Sequence, residues 1–154
     1  MIEITDAYDS ESIKAVHTLF EEYQQALGID LSFQGFATEL EMLPGEYAAP
    51  RGRLLLARVG DTIVGCIAMR PLSDETCEMK RLYVRPQSRA GGVGRLLAER
   101  AIAEARAIGY RHMYLDTLPV MAGAQRLYES LGFKDIPAYR HNPIAGTRFL
   151  GLDL

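Results

Sequence analysis

The sequence predicts an α/β (α+β) fold: a mixed, mainly antiparallel central sheet of six to seven strands with about four helices. Three observations carry that expectation. Apolar residues alternate with period two in some segments and recur at helical spacing in others, in the order β-α-α-β-β-β-α-β-α-β-β. Two of the strand-like runs are separated by Gly60–Asp61 alone, the signature of an antiparallel hairpin. One strand–helix–strand crossover spans residues 76–118, which makes its two strands parallel neighbours with the helix packed on the sheet.

Each element has a local reason. "IEIT" (2–5) alternates and is short, so it reads as a strand. Val16, Leu19, Phe20, Tyr23 and Leu27 form one helical face over residues 13–27, with Ser10 or Ser12 as cap and Gly28 as stop. A short second helix fits Phe33 to Leu43, ended by Pro44–Gly45, and "PGEYAAPRG" (44–52) reads as a loop. "RLLLARV" (53–59), "TIVGCIAM" (62–69) and "TCEMKRLYV" (76–84) are strands. Val93 to Ile108 carries a helical stripe closed by Gly109. "RHMYLDTL" (111–118) is a strand stopped by Pro119, and Ala122 to Leu131 is a helix followed by Gly132 at its C′ position. Short strands near 133–135 and 148–152 finish the chain.

Composition bounds the function. The 154 residues suffice for one domain with a real core, expected to cover 1–154. No run approaches the roughly 18 apolar residues of a membrane span. The acidic start lacks the pattern of a secretory signal, so a cytoplasmic location is expected. Cys66 and Cys77 make neither a disulfide framework nor a zinc site; both read as buried, inert thiols, and no metal is expected. The net charge of −3 is uneven: residues 1–50 hold ten acids and one base, and the rest is basic. With no basic helix or aromatic platform, nucleic acid is not an expected partner. A monomer or homodimer is expected.

The most informative stretch is "RPQSRAGGVGR" (85–95), lying between a strand and a helix N-terminus. Free backbone N–H groups and the helix dipole favour an anion there. Glycines let a phosphate approach the main chain, and Arg89 and Arg95 can add bidentate contacts. A P-loop would need Gly-Lys-Ser/Thr, and no Lys follows, which makes a phosphotransferase a poor reading. A dinucleotide fingerprint would need a third glycine where Leu97 stands.

These residues resemble the acetyl-CoA signature of the GCN5-related N-acetyltransferase (GNAT) family, Arg/Gln-x-x-Gly-x-Gly/Ala, which stands here as "RAGGVG". "AGAQRLYESLGF" (122–133) is similar to the family's second block. The resemblance implies the acyl-CoA N-acyltransferase-like fold and acetyl-CoA as cosubstrate. It implies that the main chain of Arg89, Ala90, Gly91, Gly92, Val93, Gly94 and Arg95 binds the pyrophosphate. Leu82 and Val84 would pair with the pantetheine arm, at an edge opened where strands 76–84 and 111–118 splay. One departure is Met121, which stands where the family often has a pantetheine-binding Asn.

Amine acetylation requires a proton to leave the amine and another to reach the departing thiolate. Tyr128 matches the family's general acid, and a phenol with an ordinary pKa of about 10 keeps its proton at neutral pH. Its alternative is a core aromatic. Glu78 is the candidate base, expected on the cleft floor, with burial raising its pKa. Simple alternation puts it on one face with Lys80, Leu82 and Val84 unless a bulge shifts the phase. The alternative is a salt bridge to Lys80 or an arginine. The resemblance puts the acceptor between residues 28–52 and 136–146, where Arg51, Tyr139, Arg140 and His141 are candidate contacts. Acids such as Glu39 and Glu41 could steer a cationic amine. The expected activity is transfer of an acetyl group to a small-molecule amine in a direct ternary complex. The alternative is a non-catalytic acyl-CoA-binding module.

Overall fold

The computed structural model describes residues 1–32 and 35–154. Seven strands form one sheet in the order β1-β2-β3-β4-β5-β7-β6. They are β1 (Ile2–Asp6), β2 (Arg53–Val59), β3 (Thr62–Pro71), β4 (Thr76–Val84), β5 (His112–Thr117), β6 (Lys134–Asp135) and β7 (Arg148–Asp153). Every neighbouring pair is antiparallel except β4 and β5, the pair joined by the crossover. The mixed, mainly antiparallel sheet is therefore as expected.

Helix α1 (Ser10–Leu27) is capped by Asp9 rather than by a serine: its carboxylate accepts from the Ser12 amide at 3.0 Å and the Ser12 hydroxyl at 2.8 Å. Helix α2 (Phe36–Glu41) is shorter than expected, and the start expected at Phe33 lies outside the described residues. The following loop contains a single 3-10 turn, Gly45–Tyr47, that buries Tyr47. Helix α3 (Val93–Ile108) keeps its expected bounds, and α4 (Ala122–Ser130) ends one residue early. Gly132, at φ 99°, takes the left-handed turn after α4, and the Phe133 amide closes back on the Tyr128 carbonyl.

The helices cover both faces of the sheet. On one, Val93, Leu97 and Ala101 of α3 and Tyr128 of α4 pack against Leu55, Ile67, Met69 and Leu115. On the other, Val16, Leu19 and Phe20 of α1 and Phe36 of α2 pack against Leu54, Leu56, Cys66 and Tyr83. Each buried Val, Leu, Ile, Phe or Met among them contributes about 1.5–3 kcal/mol of burial free energy. Both thiols are fully buried; burial pushes Cys77 up to about 12 and Cys66 higher, so neither is a ready nucleophile. No described helix is long and apolar enough to cross a membrane.

Two irregularities in β4 create the site. Its pairing with β5 stops at Glu78↔Tyr114, so the strand beyond Glu78 presents an unpaired edge toward β5. Against β3 the register slips: Cys66 faces Tyr83 while Ala68 faces Lys80, so Arg81 and Leu82 together oppose Ile67. Arg81 sits at φ 61°, a left-handed conformation that is unfavourable for a non-glycine residue. Its guanidinium is held there by a two-point bond to Glu39, both contacts at 2.9 Å, and lies over the rings of Phe36 and Tyr23. The bulge flips the side-chain phase. Leu82 and Val84 pack on the α3 side. Glu78, Lys80, Arg81 and Tyr83 face α1 and α2, so simple alternation is corrected.

Candidate active site

A cleft of about 500 Å³ opens along the free edge of β4. Leu82, Val84, Arg89, Gly92, Gly94 and Arg95 form one side. Tyr23 and Leu27 of α1 close another, and Met121, Ala124 and Leu127 at the start of α4 a third. Of the glycine stretch, Pro86–Gly91 winds into a 3-10 turn, which leaves Ala90 and Gly91 exposed just before the cleft. Gly92, at φ 77°, turns the chain into α3 without any side-chain cap. The amides of Val93, Gly94 and Arg95 therefore lack intrahelical carbonyls, and no capping side chain meets them. The Val93 side chain is buried in the core. A Cβ on Gly92 would meet nothing within 4 Å, but its φ suits glycine. Arg89 Nε donates to the Val84 carbonyl at 3.0 Å, across the open edge.

A second, much smaller cavity of about 20 Å³ adjoins the cleft through Tyr23, Leu82 and Met121. Tyr128, Lys80, Arg81 and Asp116 line it. Tyr128 is 5% exposed, its ring packs against Phe133, and its hydroxyl makes no hydrogen bond among the described residues. Burial, reinforced by Tyr23 and Asp116, pushes the phenol above its ordinary value, so it stays protonated at any physiological pH. Burial beside Arg81 brings the Lys80 ammonium down to about 8. Asp116 Oδ2 accepts from the Asn142 amide at 3.2 Å.

Glu78 is placed differently from the expectation. It is wholly buried, yet it lines neither of these cavities. Its Oε1 accepts from Arg70 Nε at 2.8 Å, and its Oε2 from the Tyr139 hydroxyl at 2.5 Å and from the Arg140 guanidinium. Burial alone would push the carboxyl up, but Lys80, the Tyr139 hydroxyl, Arg140 and Arg70 outweigh it and hold Glu78 below the usual carboxylate range. The expected upward shift is thus corrected: the donors supplied by the fold win over desolvation. The alternative noted from sequence, an ion pair with arginine, is what the side chain makes.

The acceptor candidates separate. Tyr139 and Arg140 converge on Glu78, and the Tyr139 ring packs on Tyr114 and Phe149, each with centroids 5.4 Å apart. His141, in the same loop, is exposed. Arg51 is not brought to the site. It donates to the Ser73 and Asp74 carbonyls at the β3–β4 turn and lies 4.5 Å over the Tyr110 ring.

Sequence reasoning missed Tyr23, Lys80 and Asp116 as cavity residues. Asp116 lies in a strand that also carries His112 and Thr117, so its polarity did not set it apart. Tyr23 had no signal either, since it sits on the apolar stripe of α1 like any core residue.

With this geometry in view, known proteins fall into place. Residues 14–133 match the model of the acetyltransferase (GNAT) family. An uncharacterized N-acetyltransferase of Schizosaccharomyces pombe is 43% identical over 138 residues, covering 88% of this chain and 85% of that protein. Among solved structures, a GNAT-family acetyltransferase of Staphylococcus aureus superposes with a TM-score of 0.82 at 22% identity, over 99% of each chain. Another of that family from Elizabethkingia anophelis, with acetyl-CoA bound, gives a TM-score of 0.58 at 26% identity over 67% of this chain and 76% of its own. By the family match over residues 14–133 and by the identity to that relative, the chain belongs to the GNAT family of acetyl-CoA-dependent N-acetyltransferases.

Proposed function

We propose that the chain, as one domain over residues 1–154, transfers an acetyl group from acetyl-CoA to the amine of a small molecule by direct attack in a ternary complex. The observation that carries this reading is Tyr128: a protonated phenol, with no hydrogen bond among the described residues, lining the small inner cavity that adjoins a cofactor-sized cleft.

The residues present fit acetyl-CoA. The first three amides of α3 are left for an anion, and the helix dipole favours negative charge there. Gly91 and Gly92 leave the main chain open to a bulky group, and Arg89 and Arg95 flank it. The unpaired β4 edge at Leu82 and Val84 offers N–H and C=O groups to an amide-bearing arm. Arg89 must release the Val84 carbonyl for that pairing. Met121, lining the same cleft, offers a thioether where the family often has an amide. When bound, acetyl-CoA supplies an acetyl group activated as a thioester.

In this reading Tyr128 gives its proton to the departing sulfur, a transfer of the kind that contributes about 10²–10⁴-fold to rate. The amine enters from the side of α2 and the loop 136–146, where Tyr139, Arg140 and His141 stand, and Asp116 lines the cavity it approaches. Cytoplasmic location and a monomer or homodimer belong to the same proposal.

The test measures free CoA thiol released from acetyl-CoA against a panel of primary amines: amino acids, polyamines and amino sugars. Amine-dependent release is expected. A chain that neither binds acetyl-CoA nor shifts its melting temperature with it would end the proposal. Tight binding with no transfer to any amine would point to an acyl-CoA-binding module.

A further inference from the structure

Glu78 occupies the last bonded rung before β4 and β5 part, opposite Tyr114 on one side and Arg70 on the other. From that point its two oxygens reach both segments that flank the acceptor side. Through Oε1 it holds Arg70, whose other arm bonds Glu46 at 2.7 Å in the turn after α2. Through Oε2 it holds Tyr139 and Arg140 of the loop between β6 and β7. The Tyr139 ring is wedged between Tyr114 and Phe149, and the Arg140 guanidinium lies over that ring. The loop therefore meets β4 at one carboxylate.

We infer that Glu78 is a positioning residue, a tie that fixes the two acceptor walls to the strand fork, and not the base that takes the amine proton. The inference deepens the acyl-transfer reading and rests on it. A base needs an oxygen free to meet the amine. Both Glu78 oxygens are engaged by donors, and the side chain borders neither cavity. The charged groups that face it are Arg70 from β3, Lys80 from β4 and Arg140 from the loop, with the Tyr139 hydroxyl beside them. Such a set keeps a carboxylate ionised as an anchor.

Glu78→Gln keeps the volume but removes the charge and one of the two acceptor oxygens, so whichever way the amide turns Tyr139 and Arg140 lose their charged acceptor. Backbone hydrogen exchange of residues 137–147 in the full chain should then quicken by roughly tenfold or more, the worth of one hydrogen bond to a charged group. Acetyl-CoA, used as the probe, should bind within about threefold of the parent, since Glu78 does not border the cleft. With whichever panel amine turns over best, KM should rise by roughly tenfold while kcat stays within about threefold and its acidic limb is unmoved. Unchanged loop exchange overturns the tie, as does a collapse of kcat with loss of the acidic limb. Tyr139→Phe approaches from the loop and leaves both arginines on Glu78. It should quicken the same amides if Glu78→Gln fails to fold, and unchanged exchange there counts equally against the tie. If no amine turns over, the acyl-transfer reading fails while the exchange measurement still decides the tie.

Discussion

Replacing Tyr128 by Phe removes one oxygen and nothing else. The ring stays against Phe133, with centroids 5.7 Å apart, in a pocket that leaves the residue 5% exposed. Because the hydroxyl has no hydrogen-bond partner among the described residues, no buried donor or acceptor is stranded. The folding cost should be within about 0.5 kcal/mol, a shift of no more than about 2 °C in melting temperature. Loss of a general acid, by contrast, should lower kcat by about 10²–10⁴-fold, equivalent to about 2.7–5.4 kcal/mol of barrier. The assay is steady-state release of CoA thiol from pH 6 to about pH 10, beside a melting curve and an acetyl-CoA titration. Burial pushes the phenol above its ordinary value, so the parent enzyme should show no alkaline loss of its acid up to about pH 10. Turnover equal to the parent's would remove Tyr128 from the chemistry. A fall in kcat matched by a loss of acetyl-CoA affinity or of melting temperature would make it a packing residue instead.

Arg89→Gln should weaken acetyl-CoA binding by about tenfold, mostly at low salt, because one charge-assisted contact to a phosphate is lost; isothermal titration at two ionic strengths checks this. Glu39→Ala strands the buried Arg81 guanidinium, which is 4% exposed and bonded to Glu39 at two points. The loss should be about 3 kcal/mol, or on the order of 10 °C in melting temperature, and an unchanged melt would deny the pair its role at the bulge. Glu22, Glu39 and Glu78 all have carboxyls held below their ordinary value: Glu22 chiefly by the Arg85 hydrogen bond, Glu39 and Glu78 by paired charges that overcome burial. Depressed native values mean that the unfolded chain binds protons first on acidification. Stability is therefore complete above the unfolded glutamate pKa of about 4.3 and is lost as pH falls through the lower native values. Melting curves from pH 7 to pH 3 should be flat above about pH 5 and drop below it; a flat curve throughout would contradict the pairing.

The cleft proposed for the cofactor was legible in the sequence because it is local. A glycine run between a strand and a helix, followed by an aromatic block 34 residues on from Gly94 at Tyr128, states its own geometry through chain connectivity. Leu82, Val84, Arg89, Gly92, Gly94 and Arg95 do line one cleft, and Gly92 adopts the positive φ that only glycine takes freely. The acceptor end was legible only in outline. Arg51 was a candidate because it lies in the segment 28–52 where the resemblance puts the acceptor, yet its guanidinium serves two carbonyls of the β3–β4 turn. Lys80 and Asp116 were passed over because nothing in a strand's spacing tells which charged residue will face a cavity and which will face a partner.

The sequence by itself determined the architecture and that an anion meets the start of α3, and its resemblance to the family named that anion as part of acetyl-CoA. Hydrophobic period, turn residues and the single crossover leave few ways to arrange seven strands, and free amides at a glycine-rich helix start call for an anion. Only the tertiary structure decided what surrounds Glu78. A one-residue bulge at Arg81 rotated β4 out of simple alternation. Residues 61 and 62 positions further along the chain then supplied Tyr139 and Arg140 to its carboxylate. Local spacing cannot encode a register slip or a partner that distant, and it is those two features that surround a buried acid with donors that outweigh its desolvation.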